Sequence, residues 1–248
     1  MTLPILNTFS KPFQIWSKRE LTPEEIEAGK YEIREMFDGI NDKIEKSIDS
    51  ALDAAKHIAE VVNDEMLASH IEKSINNESV FKIWRKAMPS KVPPNINNYQ
   101  KLYPKCDFEA VSREIEEVGH LPTEGQYFFH GGYIFKEDLN ELYTDKPLST
   151  TLCPQVALLE AVNLGKAFHD GVIHLYVLKV VKPRTKVYVF KQNGSKMGRE
   201  REILFAAGAK LKVENKTLIN ESFPTGISED YREIKKDVPI YVIEVSIS

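Results

Sequence analysis

The spacing of apolar residues divides the chain into a helical front and a strand-rich back. Thr22-Pro23-Glu24-Glu25 has the composition of a helix start: a capping hydroxyl, a first-turn proline and acids near the positive dipole end. Ile40, Ile44, Ile48, Leu52, Ala55, Ile58 and Val62 recur at three- and four-residue intervals and predict one long amphipathic helix. A further helix is expected from Ser79 through Trp84 to Met88, ending at Pro89, and another over Phe108, Val111, Ile115 and Val118, closed by Gly119. Residues 1 to 20 read as an irregular lead-in. Lys91 to Pro104, with Pro93-Pro94 and three asparagines, reads as a linker.

From Tyr127 the period shortens to that of strands. Tyr127-Phe128-Phe129 is the first and Lys146 to Thr151 the second. A helix over Val156 to Leu164 then ends at Gly165, and Ile173 to Val181 is the most β-branched and aromatic run. Lys186 to Phe190, Ile203 to Phe205, Lys210 to Val213 and Pro239 to Ile247 complete the set. The expected class is α+β, with a boundary near Pro104 separating a helical region, 1–104, from a second region, 105–248.

Bulk numbers add exclusions rather than chemistry. A hydrophobic fraction of 42 % in 248 residues supports a sizeable core. The net charge of −4 gives no footprint for nucleic acid. Cys106 and Cys153 form neither a disulfide framework nor a zinc signature, and fit a reducing compartment. No stretch approaches the roughly 20 apolar residues of a membrane span. Met1 to Trp16 lacks the charged-then-apolar order of a signal peptide, so a soluble protein without a standard amino-terminal signal is expected.

The chemistry concentrates in Gly198-Arg199-Glu200-Arg201-Glu202-Ile203-Leu204-Phe205. In a strand, Glu200 and Glu202 at i and i+2 leave the same face. Taken alone, such a pair more often lines the solvated face of an edge strand. Its company changes the weighting: an aromatic strand ending in His130-Gly131-Gly132, the run Pro147-Leu148-Ser149-Thr150-Thr151, a helix followed by Phe168, then Glu-x-Glu, in that order. His169-Asp170 reads as a polar turn, and His57 and His70 as solvated positions rather than metal ligands. Ser149 lacks the G-x-S-x-G elbow of a hydrolase nucleophile, and Gly194 and Gly198 do not make a dinucleotide fingerprint.

This ordered set resembles the mono-ADP-ribosyltransferase superfamily, in particular its Arg-Ser-Glu branch of bacterial toxins, phage enzymes and vertebrate ecto-enzymes. The resemblance covers roughly Gln126 to Ile247 and implies a mixed β-sandwich core. It implies transfer of ADP-ribose from NAD⁺, consumed as a substrate without any metal. Glu202 would stabilise the charge that develops on the nicotinamide ribose, with Ser149 holding Glu202 in one rotamer. Glu200 would orient an acceptor arginine, because a carboxylate can grip a planar guanidinium with both oxygens. Cofactor contacts would come from His130, Gly131, Ser149, Thr150 and Phe168. Packing in the core remains an equal account of Phe168.

One position departs from the branch. His130 stands where the branch has arginine. A histidine followed by glycine resembles instead the diphtheria-toxin and poly-ADP-ribose-polymerase branch, where it bonds the adenosine ribose. A neutral imidazole brings little charge to the pyrophosphate, so either weaker NAD⁺ binding or a phosphate contact from Lys166 or Arg199 is expected. The implied protein is an arginine-directed toxin or effector, secreted or injected, acting in the target-cell cytoplasm. A target protein, and an immunity or host activator protein, would be its partners, with no nucleic acid or membrane. The alternatives are an NAD⁺ glycohydrolase and a catalytically inactive binding module.

Overall fold

A computed structural model describes residues 1–135, 139–190, 202–229 and 231–248. The chain opens with β1 (Thr2–Leu3) and β2 (Phe13–Arg19), then α1 (Pro23–Ala28), α2 (Glu35–Asp38) and β3 (Ile40–Ile48). Helices α3 (Ala51–Val61), α4 (Glu65–Asn77), α5 (Ser79–Ala87), α6 (Pro94–Leu102) and α7 (Phe108–Val118) follow. Then come β4 (Leu121–Pro122), β5 (Tyr127–Gly131), β6 (Glu141–Tyr143), β7 (Leu148–Thr151), α8 (Pro154–Val162), a 3₁₀ turn and α9 (Lys166–Asp170). The chain closes with β8 (Ile173–Val180), β9 (Val187–Val189), β10 (Glu202–Phe205), β11 (Lys210–Glu229) and β12 (Arg232–Ile247).

The class is α+β. The described strands of the second half form one curled eight-stranded sheet in the order β6-β11-β12-β8-β5-β7-β10-β9. Every neighbouring pair in it is antiparallel except β12 and β8, which run parallel with Ile240 opposite Ile173 and Ile247 opposite Val180. The middle of this sheet is buried on both faces: Leu175, Tyr176, Val177 and Leu178 on β8 are all almost inaccessible. That explains why β8 reads as a continuous apolar run rather than an alternating one.

Both halves of the sequence contribute to one hydrophobic core. Strand β1 pairs in parallel with β4. The Trp84 ring lies 6.2 Å from that of Phe128, and its indole N–H donates to the Pro4 carbonyl at 2.8 Å. Buried Trp is enriched in packing value only when that N–H finds an acceptor, as here.

Several expectations for the first hundred residues are corrected. The long helix over 40–62 is a strand, β3, followed by a helix, α3. Ile40, Ile44 and Ile48 are four residues apart, and four is a multiple of the strand period as well as close to a helical turn. The structure pairs Ile40 with Arg19, Ile44 with Trp16 and Ile48 with Phe13 on β2, so the lead-in is a hairpin partner rather than irregular. The helix begins only where the Ser50 hydroxyl accepts the Asp53 N–H at 3.1 Å.

The linker of 91–104 is also a helix. Pro94 occupies its first turn, a position that tolerates proline because the missing N–H would have no partner there. The Ile96 N–H is taken by the Glu114 carboxylate of α7 at 2.7 Å, a cap supplied from another element. His57 is buried rather than solvated: its Nε2 lies 2.8 Å from Asp64. The His70 Nε2 bonds the Lys11 carbonyl at 2.9 Å. Residues 214–229 and 232–238, given no element from the sequence, extend β11 and β12 into a long antiparallel pair.

Candidate functional site

The site is built on three adjacent strands. Glu202 is the first residue of β10 and pairs with Thr151 of β7, while Leu204 pairs with Ser149. Directly opposed residues share a face, so Ser149, Thr151, Glu202 and Leu204 stand on one side, with Ser149 diagonal to Glu202. At this diagonal the Ser149 hydroxyl donates to Glu202 Oε1 at 2.5 Å. Glu202 is only 4 % exposed, which makes this short, charge-assisted bond a strong restraint on its rotamer. On the other face, Thr150 donates to the Ile203 carbonyl at 2.8 Å and ties β7 to β10. Thr150 is therefore a strand fastener, although it borders the cleft.

On β5, His130 Nδ1 lies 2.7 Å from the Ser149 carbonyl oxygen. A carbonyl only accepts, so Nδ1 carries the proton and the neutral ring leaves Nε2 as an acceptor. Burial holds the His130 ring at about 4, well below its ordinary 6.5, against the opposing pull of the Ser149 carbonyl, and Lys166 and Lys146 lower it further. His174, half-buried on β8, is also held at about 4, by burial first and Lys216 second.

Both histidines are therefore neutral in the native state over a range where the unfolded chain binds protons. Their contribution to stability is complete above pH 6.5 and lost as pH falls through about 4. For His130 the loss is on the order of 2–3 kcal/mol. Melting temperature should fall steadily from pH 7 to pH 4.5. His130→Asn, whose amide can still donate to the Ser149 carbonyl, should fall less steeply, and equal slopes would refute the assignment.

Gly131 sits against α8. A Cβ added there would lie 1.7 Å from the Ala157 carbonyl oxygen, so glycine is required by the approach of the helix to the strand. These residues line a cleft of about 200 Å³, bounded by Glu202, Ser149 and His130 on the sheet and by Val156, Ala157 and Lys166 across from it. The Lys166 ammonium is exposed and donates to the Glu160 carbonyl at 3.2 Å, leaving a cation at the cleft's rim.

Two aromatic residues of this cleft were missed from sequence. Tyr99 of α6 and Tyr103, the residue just after that helix, line it, with ring centroids 5.4 Å apart in an edge-on arrangement. Tyr99 is almost fully buried, and burial together with the Glu202 carboxylate raises its phenol, so it keeps its proton. The i, i+4 tyrosine pair after Pro93-Pro94 is the signal that could have found them.

Phe168, by contrast, is not brought to this cleft. It lines a separate cavity on the other side of α8, with the Lys236 ammonium 5.6 Å from its ring centroid. Glu200, Arg199 and the loop Lys191 to Gly198 lie outside the described residues. Among the described residues, no group of three or more His, Cys, Asp or Glu could hold a metal ion. No described helix is long and apolar enough to cross a membrane.

The sequence matches no protein-family model and no curated protein. Solved structures that resemble the chain include ADP-ribosyltransferase toxins. Plx2a, an ADP-ribosyltransferase toxin from Paenibacillus larvae, is 12 % identical over 68 % of this chain and 90 % of its own, with a TM-score of 0.36. The ADP-ribosyltransferase Vis from Vibrio splendidus, solved with agmatine, is 14 % identical over 79 % of this chain and 82 % of its own, at 0.33. BECa, an ADP-ribosylating toxin of a binary enterotoxin of C. perfringens, solved with NADH, is 14 % identical over 75 % of this chain, at 0.40. The present chain spans about half the length of BECa, 49 %. At these values the likeness fixes neither a residue's role nor a substrate.

Proposed function

We propose that the chain is an NAD⁺-dependent mono-ADP-ribosyltransferase of the toxin or effector kind, which transfers ADP-ribose to an arginine of a target protein. The observation that carries this reading is the 2.5 Å bond from the Ser149 hydroxyl to the buried Glu202 carboxylate, in a cleft that also holds His130. NAD⁺ would bring to that cleft a glycosidic bond whose cleavage builds positive charge on the ribose, and a fixed carboxylate in a water-poor site favours such charge.

The residues present fit the nicotinamide-ribose end of that substrate. Glu202 offers a carboxylate acceptor held in one rotamer by Ser149. His130 offers Nε2 as a neutral acceptor for a hydroxyl, with its tautomer set by the Ser149 carbonyl. Lys166 brings the charge that His130 lacks to a phosphate. Gly131, with no Cβ, lets α8 and the strand close on one another. Thr150 supports the strand beneath, and the aromatic surface assigned to Phe168 from the resemblance falls to Tyr99 and Tyr103. In this reading residues 105–248 hold the catalytic groups, and 1–104 is a partner, delivery or packing region that lends the two tyrosines.

Labelled NAD⁺ incubated with the protein and a cell lysate tests the transfer. Label should appear on a lysate protein at an arginine. Free nicotinamide with no labelled protein would replace transfer by hydrolysis, and neither product would leave a binding module.

The arginine preference rests on Glu200, as the sequence expectation had it. Glu200→Ala should reduce protein labelling by about 10²-fold while nicotinamide release stays within about twofold, since the acceptor carboxylate acts on the guanidinium and not on the ribose. Equal loss of both activities would remove Glu200 from the acceptor role.

A further inference from the structure

Three exposed apolar or aromatic residues stand around the mouth of the cleft, each on a different segment. Tyr103 lines the cleft yet remains 53 % exposed. Tyr133 comes two residues after Gly131 of the cleft wall, is 52 % exposed, and stacks on the His174 ring with centroids 5.5 Å apart. Leu164 is 87 % exposed and lies in the 3₁₀ turn Asn163–Gly165 that joins α8 to α9. Two residues separate it from Lys166 at the cleft's rim, so the two Cα atoms are within about 8 Å of one another.

Leucine at position 164 works against the fold. Its φ of 56° and ψ of 28° are left-handed, a region that a Cβ disfavours and that glycine or asparagine enters readily. Packing offsets none of this, because Leu164 belongs neither to the hydrophobic core nor to the walls of the cleft or of the cavity beyond α8. Backbone strain of this kind gathers at functional sites, and grouped exposed apolar side chains mark surfaces that meet another molecule. What meets these follows from their position. Anything that reacts beside Glu202 passes this mouth, and a small acceptor inside the cleft gains nothing from Tyr133 or Leu164, which do not line it. Only an acceptor larger than the cleft, a folded protein with one side chain reaching inward, lies on all three at once. Tyrosine is enriched among the anchors of such interfaces.

We propose that Tyr103, Tyr133 and Leu164 form a docking rim for the acceptor protein, with Leu164 as the contact that distinguishes a protein acceptor from a free guanidine. This rests on the transferase reading above and adds to it the surface on which the target sits.

Two readouts on the full chain test it: labelling of lysate protein from labelled NAD⁺, and nicotinamide release with arginine methyl ester in place of the lysate. Leu164→Asn suits the left-handed backbone, so it should melt no lower than the wild type. It should cut protein labelling about 10-fold, the loss expected of an interface anchor, while nicotinamide release with the ester stays within about twofold. Leu164→Met keeps an apolar side chain and should hold protein labelling within about threefold of wild type. Unchanged protein labelling in Leu164→Asn overturns the rim. Equal loss in both readouts also overturns it, because the turn would then act on the cleft itself. A wild type that releases no nicotinamide and labels no protein overturns the transferase reading, and the rim falls with it.

Discussion

Glu202→Gln should lower both ADP-ribosyl transfer and nicotinamide release by ~10²–10³-fold, with the fold intact. The size follows from removing one preorganised electrostatic partner of the charge that develops in the transition state. The fold survives because the glutamine amide oxygen can accept the bond that the Ser149 hydroxyl now donates to Oε1. Melting temperature should stay within a few degrees of wild type, as expected for a change of under about 1 kcal/mol in a chain of this size. Ser149 acts through Glu202, so Ser149→Ala should cost less, about 10-fold, by freeing the carboxylate to leave its rotamer. The double variant should be no slower than Glu202→Gln alone, which is the signature of residues that work as a unit. Multiplying losses in the double variant would mean that Ser149 contacts the substrate directly. Rapid turnover by Glu202→Gln would end the proposed mechanism.

The parts of the site made by strand pairing were legible from sequence. Tyr127–Phe129, Lys146–Thr151, Ile173–Val181 and Ile203–Phe205 read as short strands, and the structure places a strand within or over each of them. Once β7 and β10 pair in antiparallel register, the contact of Ser149 with Glu202 follows from the pleat. What escaped was set by distant partners. Helix α6 begins at a Pro-Pro pair and is capped by Glu114, eighteen residues further on, so no local pattern announces it. Strand β3 shares its four-residue spacing with a helix, and only its pairing with β2 decides between the two periods. The far half of the β11–β12 hairpin is mostly exposed on both faces, so it lacks the alternation that marks a half-buried strand. Phe168 was placed by order along the chain, yet α9 carries it to the side of α8 away from Glu202.

Helix α8 also gives Gly131 the tightest surroundings of the described glycines. Gly131→Ala would set a methyl 1.7 Å from the Ala157 carbonyl oxygen, 2.6 Å from its carbon and 3.0 Å from the Ala161 Cβ. The nearest obstacles are backbone atoms in the middle of α8, so no rotamer change relieves them, and the helix must withdraw from β5. Overpacking of this kind costs about 3 kcal/mol or more, which for a chain of this length lowers the melting temperature by about 6–12 °C. Gly226→Ala is the milder comparison: its added Cβ would come no closer than 3.3 Å, to the Ile234 carbonyl oxygen, so a shift of a few tenths of an ångström accommodates it and its melting temperature should fall far less. Withdrawal of α8 also carries Ala157 and Val156 away from His130 and Ser149, on the opposite wall of the cleft. NAD⁺ affinity measured by calorimetry below the melting transition should therefore fall at least about 10-fold in Gly131→Ala. A variant that melts with the wild type would show that α8 does not press on β5 in solution. One that melts early but binds NAD⁺ normally would separate the packing of α8 from the site.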